Sequence, residues 1–282
     1  MTGRWMLAVL LAALFAGGAS AQSAREMRGE VEASMRVAGH LDIGREGEVT
    51  GYAIDRSDAL PPYVTRFLDR AVPALRFEPI LVDGAPVLAR ARMSLLLVAT
   101  PAGDGDMQLS VRSAHFGDDS PDEPGIRYTD LRPPRYPANV ARIGGKGTVY
   151  LLVQVARDGS VADVVAEQVN LTALGSARQM DTIRETLSRA AIETARTHWR
   201  FVPPTGPEDA ARDHWVVRVP IFFSMQGDRE ADYGEWSAYH PGSRTRPAWA
   251  EADPPGFGPD ALAAGAVHPA GSRFRLAAPL GG

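Results

Sequence analysis

The chain has 282 residues, 45% of them hydrophobic and 23% charged, a globular balance that allows two small domains at roughly 100–200 residues each. A formal net charge of -4 excludes the basic excess that nucleic-acid binders carry. The absence of cysteine excludes disulfides, thiolate catalysis and lipid-modified cysteine, so stability rests on packed cores. At the N-terminus Arg4 precedes an apolar run over residues 5–15, and Ala19-Ser20-Ala21 is a small-x-small cleavage pattern with Gln22 after it. This reads as a secretory signal peptide over 1–21. An uncleaved signal anchor is the alternative, although the run is about half of the roughly 20 residues a comfortable span needs. On either reading the body of the chain lies outside the cytoplasm.

Residues 22–100 form the first expected unit. Val31, Ala33, Met35, Val37, Gly39, Leu41 and Ile43 alternate with mostly polar residues, the period of a half-buried strand. Gly44-Arg45-Glu46-Gly47 is a turn signal, and residues 49–54 return as a second strand. Pro61 and Pro62 suit a helix start, and Val64, Phe67, Leu68, Ala71, Val72 and Leu75 then keep helical spacing, with Pro73 expected to distort the last turn. Asp83-Gly84 marks a turn before Ala89, Ala91, Met93, Leu95 and Leu97 alternate as a third strand. Residues 101–131 are rich in Gly, Asp and Pro and read as a linker with at most one short strand over 107–111. The acidic run over 118–123 lacks the Gly and terminal Glu of a calcium loop, so it reads as solvated linker.

A second unit occupies 132–226. Pro133-Pro134-Arg135-Tyr136-Pro137 leads into a short helix over 138–143, which Gly144-Gly145-Lys146-Gly147 stops. Val149, Leu151, Val153 and Val155 share a strand face, Asp158-Gly159 is a hairpin turn, and residues 161–167 return. A helix over 181–199 should turn Ile183, Leu187, Ala191 and Ala195 inward. The last strand, 214–225, alternates Trp215, Val217, Val219, Ile221, Phe223 and Met225 against His214, Val216, Arg218, Pro220, Phe222 and Ser224. Both units run strand, turn, strand, helix, strand, and each helix ends on an Ala-x4-Arg-Phe-x-Pro signature (Ala71 to Pro79, Ala195 to Pro203). This reads as a divergent internal duplication.

The glycine run is no phosphate cradle, because Val140 and Gly147 stand where a P-loop needs Gly and Ser or Thr. Histidines are scattered without metal-ligand spacing, and no nucleophile elbow occurs. No catalytic residue, metal or cofactor is expected, and the function class is binding, not catalysis. Trp199, Arg200 and Phe201 read as packing at a helix end and not as a recognition patch. The tail, 227–282, mixes Pro, Gly, Ala and isolated aromatics and reads as mostly disordered or loosely docked.

On Tyr136-Pro137, Gly147-Thr148-Val149, Asp158-Gly159, Trp199-Arg200-Phe201-x-Pro203 and Val217-x-Val219-Pro220-Ile221-x-Phe223, the second unit resembles the TonB C-terminal domain family. The first unit would be a degenerate copy. The resemblance implies an α+β fold, here two tandem small ββαβ modules, each an antiparallel three-stranded sheet with helices on one face. It implies a periplasmic protein that grips an outer-membrane transporter peptide, or another envelope protein, by strand addition to an exposed edge. The partner-binding residues carried over are Arg132, Arg135 and Tyr136, with Val216, Arg218, Pro220, Phe222 and Ser224 on the last strand. Pro220 suits an edge strand, where a missing donor is tolerated. The chain departs from the family's pattern by lacking the long Pro-rich spacer and a polar residue in its N-terminal apolar run. The runner-up reading is a structural or assembly module without energy coupling that forms a homodimer through the same edge.

Overall fold

The computed structural model describes residues 32–280 except 104–105, 119–125, 174, 207–208, 210, 226–230 and 232. The expected signal segment therefore lies outside the described residues, as does the acidic run apart from Asp118. Among the described residues the architecture is α+β, with three α-helices and antiparallel strands in several sheets.

The first half runs β1 (Glu32–Ile43), β2 (Val49–Ile54), α1 (Pro62–Ala71), a small hairpin of β3 (Leu81–Val82) and β4 (Ala85–Pro86), β5 (Ala89–Gly103) and β6 (Asp106–Asp118). The alternation in β1 works as expected: Met35, Val37, Leu41 and Ile43 are buried against α1, with Met93, Leu95 and Leu97 of β5 beside them. Pro62 opens α1, and the helix stops at Ala71, so Pro73 lies beyond its last turn and does not distort it. The stretch expected as a linker contains the 13-residue β6, which pairs along β5 from Ala91↔Asp118 to Gly103↔Asp106. Its Gly and Asp content hid a strand whose buried apolar residues, Ala114 and Phe116, are few and whose register shifts at Arg112.

The second half runs β7 (Arg127–Asp130), α2 (Ala138–Arg142), β8 (Gly147–Ala156), β9 (Val161–Leu171), α3 (Ala177–His198), β10 (Arg200–Val202) and β11 (His214–Phe223). α3 starts four residues before its expected beginning. Ser176 accepts from the Gln179 backbone N–H while the Gln179 side chain reaches back to the Ser176 N–H, a capping box. Its inward stripe, Ile183, Leu187, Ala191 and Ala195, packs on Val149, Leu151, Val153, Val217 and Val219. Trp199 and Phe201 are buried in the same core, and the Trp199 indole donates to the Arg132 carbonyl at 2.9 Å.

Two glycines close the turns ahead of each half's second strand. Gly47 has φ +84° and a Cβ there would sit 1.9 Å from the Phe77 carbonyl oxygen; Gly159 has φ +81° and 2.1 Å to the Phe201 oxygen. In each, the Phe N–H donates to the glycine carbonyl at 2.8 Å.

The tail differs most from expectation. It contributes β12 (Ser237–Tyr239) beside β1, a 3-10 turn (Pro259–Ala261), and β13 (His268–Pro269) beside β11. Asp260 is buried and joins the halves: Ser113 of β6 and Tyr239 of β12 donate to its carboxylate, with Gln168 and Asn170 of β9 at 3.5 and 3.4 Å. A segment without periodicity is ordered here by specific polar contacts, which leave no repeating pattern in sequence.

Candidate functional site

β11 is the strand that the sequence nominates, and its hydrogen-bonding explains its composition. One side pairs with β8 over its full length, from His214↔Ala156 to Phe223↔Gly147. The other side carries only two ladder pairs, Val217↔Pro269 and Arg218↔His268. Two further bonds flank them: the Ala270 N–H donates to the Val216 carbonyl at 2.8 Å and the Gly265 N–H to the Pro220 carbonyl at 3.2 Å. The carbonyls of Val216 and Pro220 thus point away from β8, and the missing N–H of Pro220 removes no bond from the β8 ladder. The edge strand expected from the sequence is capped along residues 216–220 by the chain's own tail.

The faces of β11 are divided as the alternation requires. Val217, Val219 and Phe223 face the α3 core. Arg218, on the opposite face, is only 3% exposed. It donates to both oxygens of the fully buried Glu167, at 2.7 and 3.1 Å, and to Asp253 at 2.6 Å. Arg244 donates to Glu167 and, at 2.5 Å, to Asp253, so two guanidiniums balance two carboxylates. The Phe257 ring stacks 4.4 Å from the Arg218 guanidinium carbon. Three of these groups, Arg244, Asp253 and Phe257, come from the tail. An Arg in an apolar strand signals a buried partner, but nothing in sequence says which distant carboxylates serve.

Two histidines border the capped edge. Burial pushes the His115 imidazole of β6 down to about 4, with the nearby His268 and Arg218 adding to it. Burial also lowers His268, while its contact with the Ala263 carbonyl partly restores it. Both rings are therefore neutral near pH 7.

The remaining expected contact residues are spread over two places. Val216 is half-buried and Pro220 buried beneath the tail. Phe222 lines a cavity of about 660 Å³ between the two sheets, shared with Arg36, Lys146, Tyr150 and Asp260, and Ser224 lies just past the strand's end. Arg132 and Arg135 are exposed on the segment before α2, whereas Tyr136 is half-buried, its hydroxyl donating to the Gly145 carbonyl and its ring 6.0 Å from Phe223. Arg132 bonds Asp130 through its backbone N–H at 2.9 Å and lies 3.4 Å from His198. Tyr136 thus links that segment to the end of β11, with Arg132 and Arg135 exposed on the residues leading up to it.

Comparison with known proteins points the same way as the motifs. Two proteins named Protein TonB, from Xanthomonas campestris pv. campestris strains B100 and ATCC 33913, are each 36% identical to this chain over 102 residues. The chain carries a TonB-like C-terminal domain. The match covers 36% of this chain and 38% of each relative. No family model matches the chain, and no solved structure does. Among the described residues, no helix is long and apolar enough to cross a membrane.

Proposed function

We propose that the TonB-like domain is a periplasmic binding module that takes up an extended segment of an outer-membrane transporter, or of another envelope protein, by strand addition along β11. The observation that carries this reading is the two-residue β13: the outer edge of β11 already accepts a strand, through four backbone contacts. A longer partner strand would offer more bonds than β13 and displace it. Arg132, Arg135 and Tyr136 would flank the incoming segment near the end of β11. The role is binding without catalysis, and coupling to an energy source is the further role that the TonB likeness suggests.

We also read the two halves as copies of one ββαβ unit, a reading supported by the matched Gly47–Phe77 and Gly159–Phe201 contacts. In the first half β6 pairs with β5 for its whole length, so the corresponding edge is permanently filled.

The test is titration of the full chain with a synthetic peptide of a transporter's N-terminal segment, read by backbone amide shifts. Shifts in β11 are expected, and they should saturate at lower peptide concentration in Ala270→Pro, which removes the tail's donor to Val216. Absence of shifts in β11 in both proteins refutes strand addition there. The runner-up, self-association through this edge, predicts instead an Ala270→Pro protein that sediments as a dimer.

A further inference from the structure

The first sheet is longer than the helix that covers it. Helix α1 has 10 residues and spans about 15 Å, whereas β1, β5 and β6 have 12, 15 and 13 residues and span roughly 40 Å or more. In the second half the 22 residues of α3 and the 10 of β8 both span about 33 Å, so cover and sheet match. The consequence is a groove of about 1070 Å³ at the Ala33 end of the first sheet. Its floor is the row Ala33, Ala99 and Leu109, adjacent residues across β1, β5 and β6. The walls are Phe67 of α1 and Trp236, whose indole donates to the Tyr63 hydroxyl at 2.8 Å. Tyr63 and Met107 remain 46% and 50% exposed.

The charge at the rim selects the occupant. Arg66 and Arg70, one helical turn apart on α1, line the groove and are exposed. Among the described residues the groove's one carboxylate, Asp69, accepts from the Tyr52 hydroxyl at 2.7 Å. The small Ala33 and Ala99 side chains in the floor let a helix backbone approach the sheet closely, beside α1, whose Tyr63, Phe67 and Arg70 line the groove along its length.

We propose that this groove docks an amphipathic helical segment of a partner protein, one with an apolar stripe and acidic side chains a turn apart facing Arg66 and Arg70. The surface is separate from the β11 edge, so it can work whether or not strand addition occurs there. It would give the first half of the chain a binding role of its own.

The probe is a synthetic leucine-striped helical peptide with two glutamates one turn apart, compared with the same peptide carrying lysines, each titrated into the full chain. The glutamate peptide should bind at least about 10-fold tighter than the lysine peptide and shift the amides of Ala33, Ala99 and Leu109. Reversing the exposed pair (R66E with R70E) should invert that preference, a readout that requires a folded protein. Equal affinity for the two peptides, or shifts confined to β11, overturns the proposal. A protein that dimerises by sedimentation through Arg66 and Arg70 also overturns it, in favour of a second copy in the groove.

Discussion

Arg218→Met isolates the cluster that fastens the tail to β11. In the native chain Arg218 is 3% exposed and Glu167 fully buried, so the substitution strips Glu167 of its two-bond partner and Asp253 of one bond. Removing one member of a buried ion pair costs about 3–5 kcal/mol, because a charge is left without compensation in a low-dielectric site. Arg244 still reaches both carboxylates but is 31% exposed, and solvent screens what it returns, so roughly 3 kcal/mol is the expected loss. For a unit of this size that lowers the melting temperature by about 6–12 °C, measured by calorimetry. Replacing the pair together, Arg218→Met with Glu167→Met, should be less damaging than the single change, since no orphaned charge remains in the centre. Limited proteolysis should show faster cutting near Arg244 and Arg246 in the single variant. A single variant within about 1 kcal/mol of the parent, or a double variant with additive losses, refutes the view that this cluster is a desolvated clamp.

Backbone geometry and titration give further checks. Gly159→Ala should cost roughly 3 kcal/mol in urea unfolding, because a Cβ would meet the Phe201 carbonyl oxygen at 2.1 Å on top of a φ of +81°. Gly144→Ala, at φ +68° with nothing within 4 Å, should cost only about 1 kcal/mol; equal losses would remove the carbonyl clash as the cause. His115 has its folded pKa pushed to about 4, below the unfolded value, so the unfolded chain takes up the proton first as pH falls. Its contribution is fully present at neutral pH and is lost between about pH 6.5 and 4, on the order of 2 kcal/mol by pH 5. His115→Gln should flatten that part of a stability–pH profile, and an unchanged slope would show that His115 is not held neutral.

Much of the two sheets was legible from the chain alone. Period-two alternation over 32–43 and 147–155, the Asp158-Gly159 turn and the helical stripe from Ile183 to Ala195 each encode a local rule that the backbone obeys. The nomination of β11 as an edge did not hold, since β13 pairs along its outer side, although Pro220 does turn its missing donor away from the β8 ladder. The positions of β6 and of the tail came from elsewhere. β6 is ordered by its ladder with β5, and residues 237–280 by Asp260, Asp253, Arg244 and Phe257 meeting partners up to 147 positions away in sequence. Periodicity reports which face of an element is buried. It carries no record of which distant carboxylate neutralises Arg218, so the closure of the β11 edge was decided only by tertiary structure.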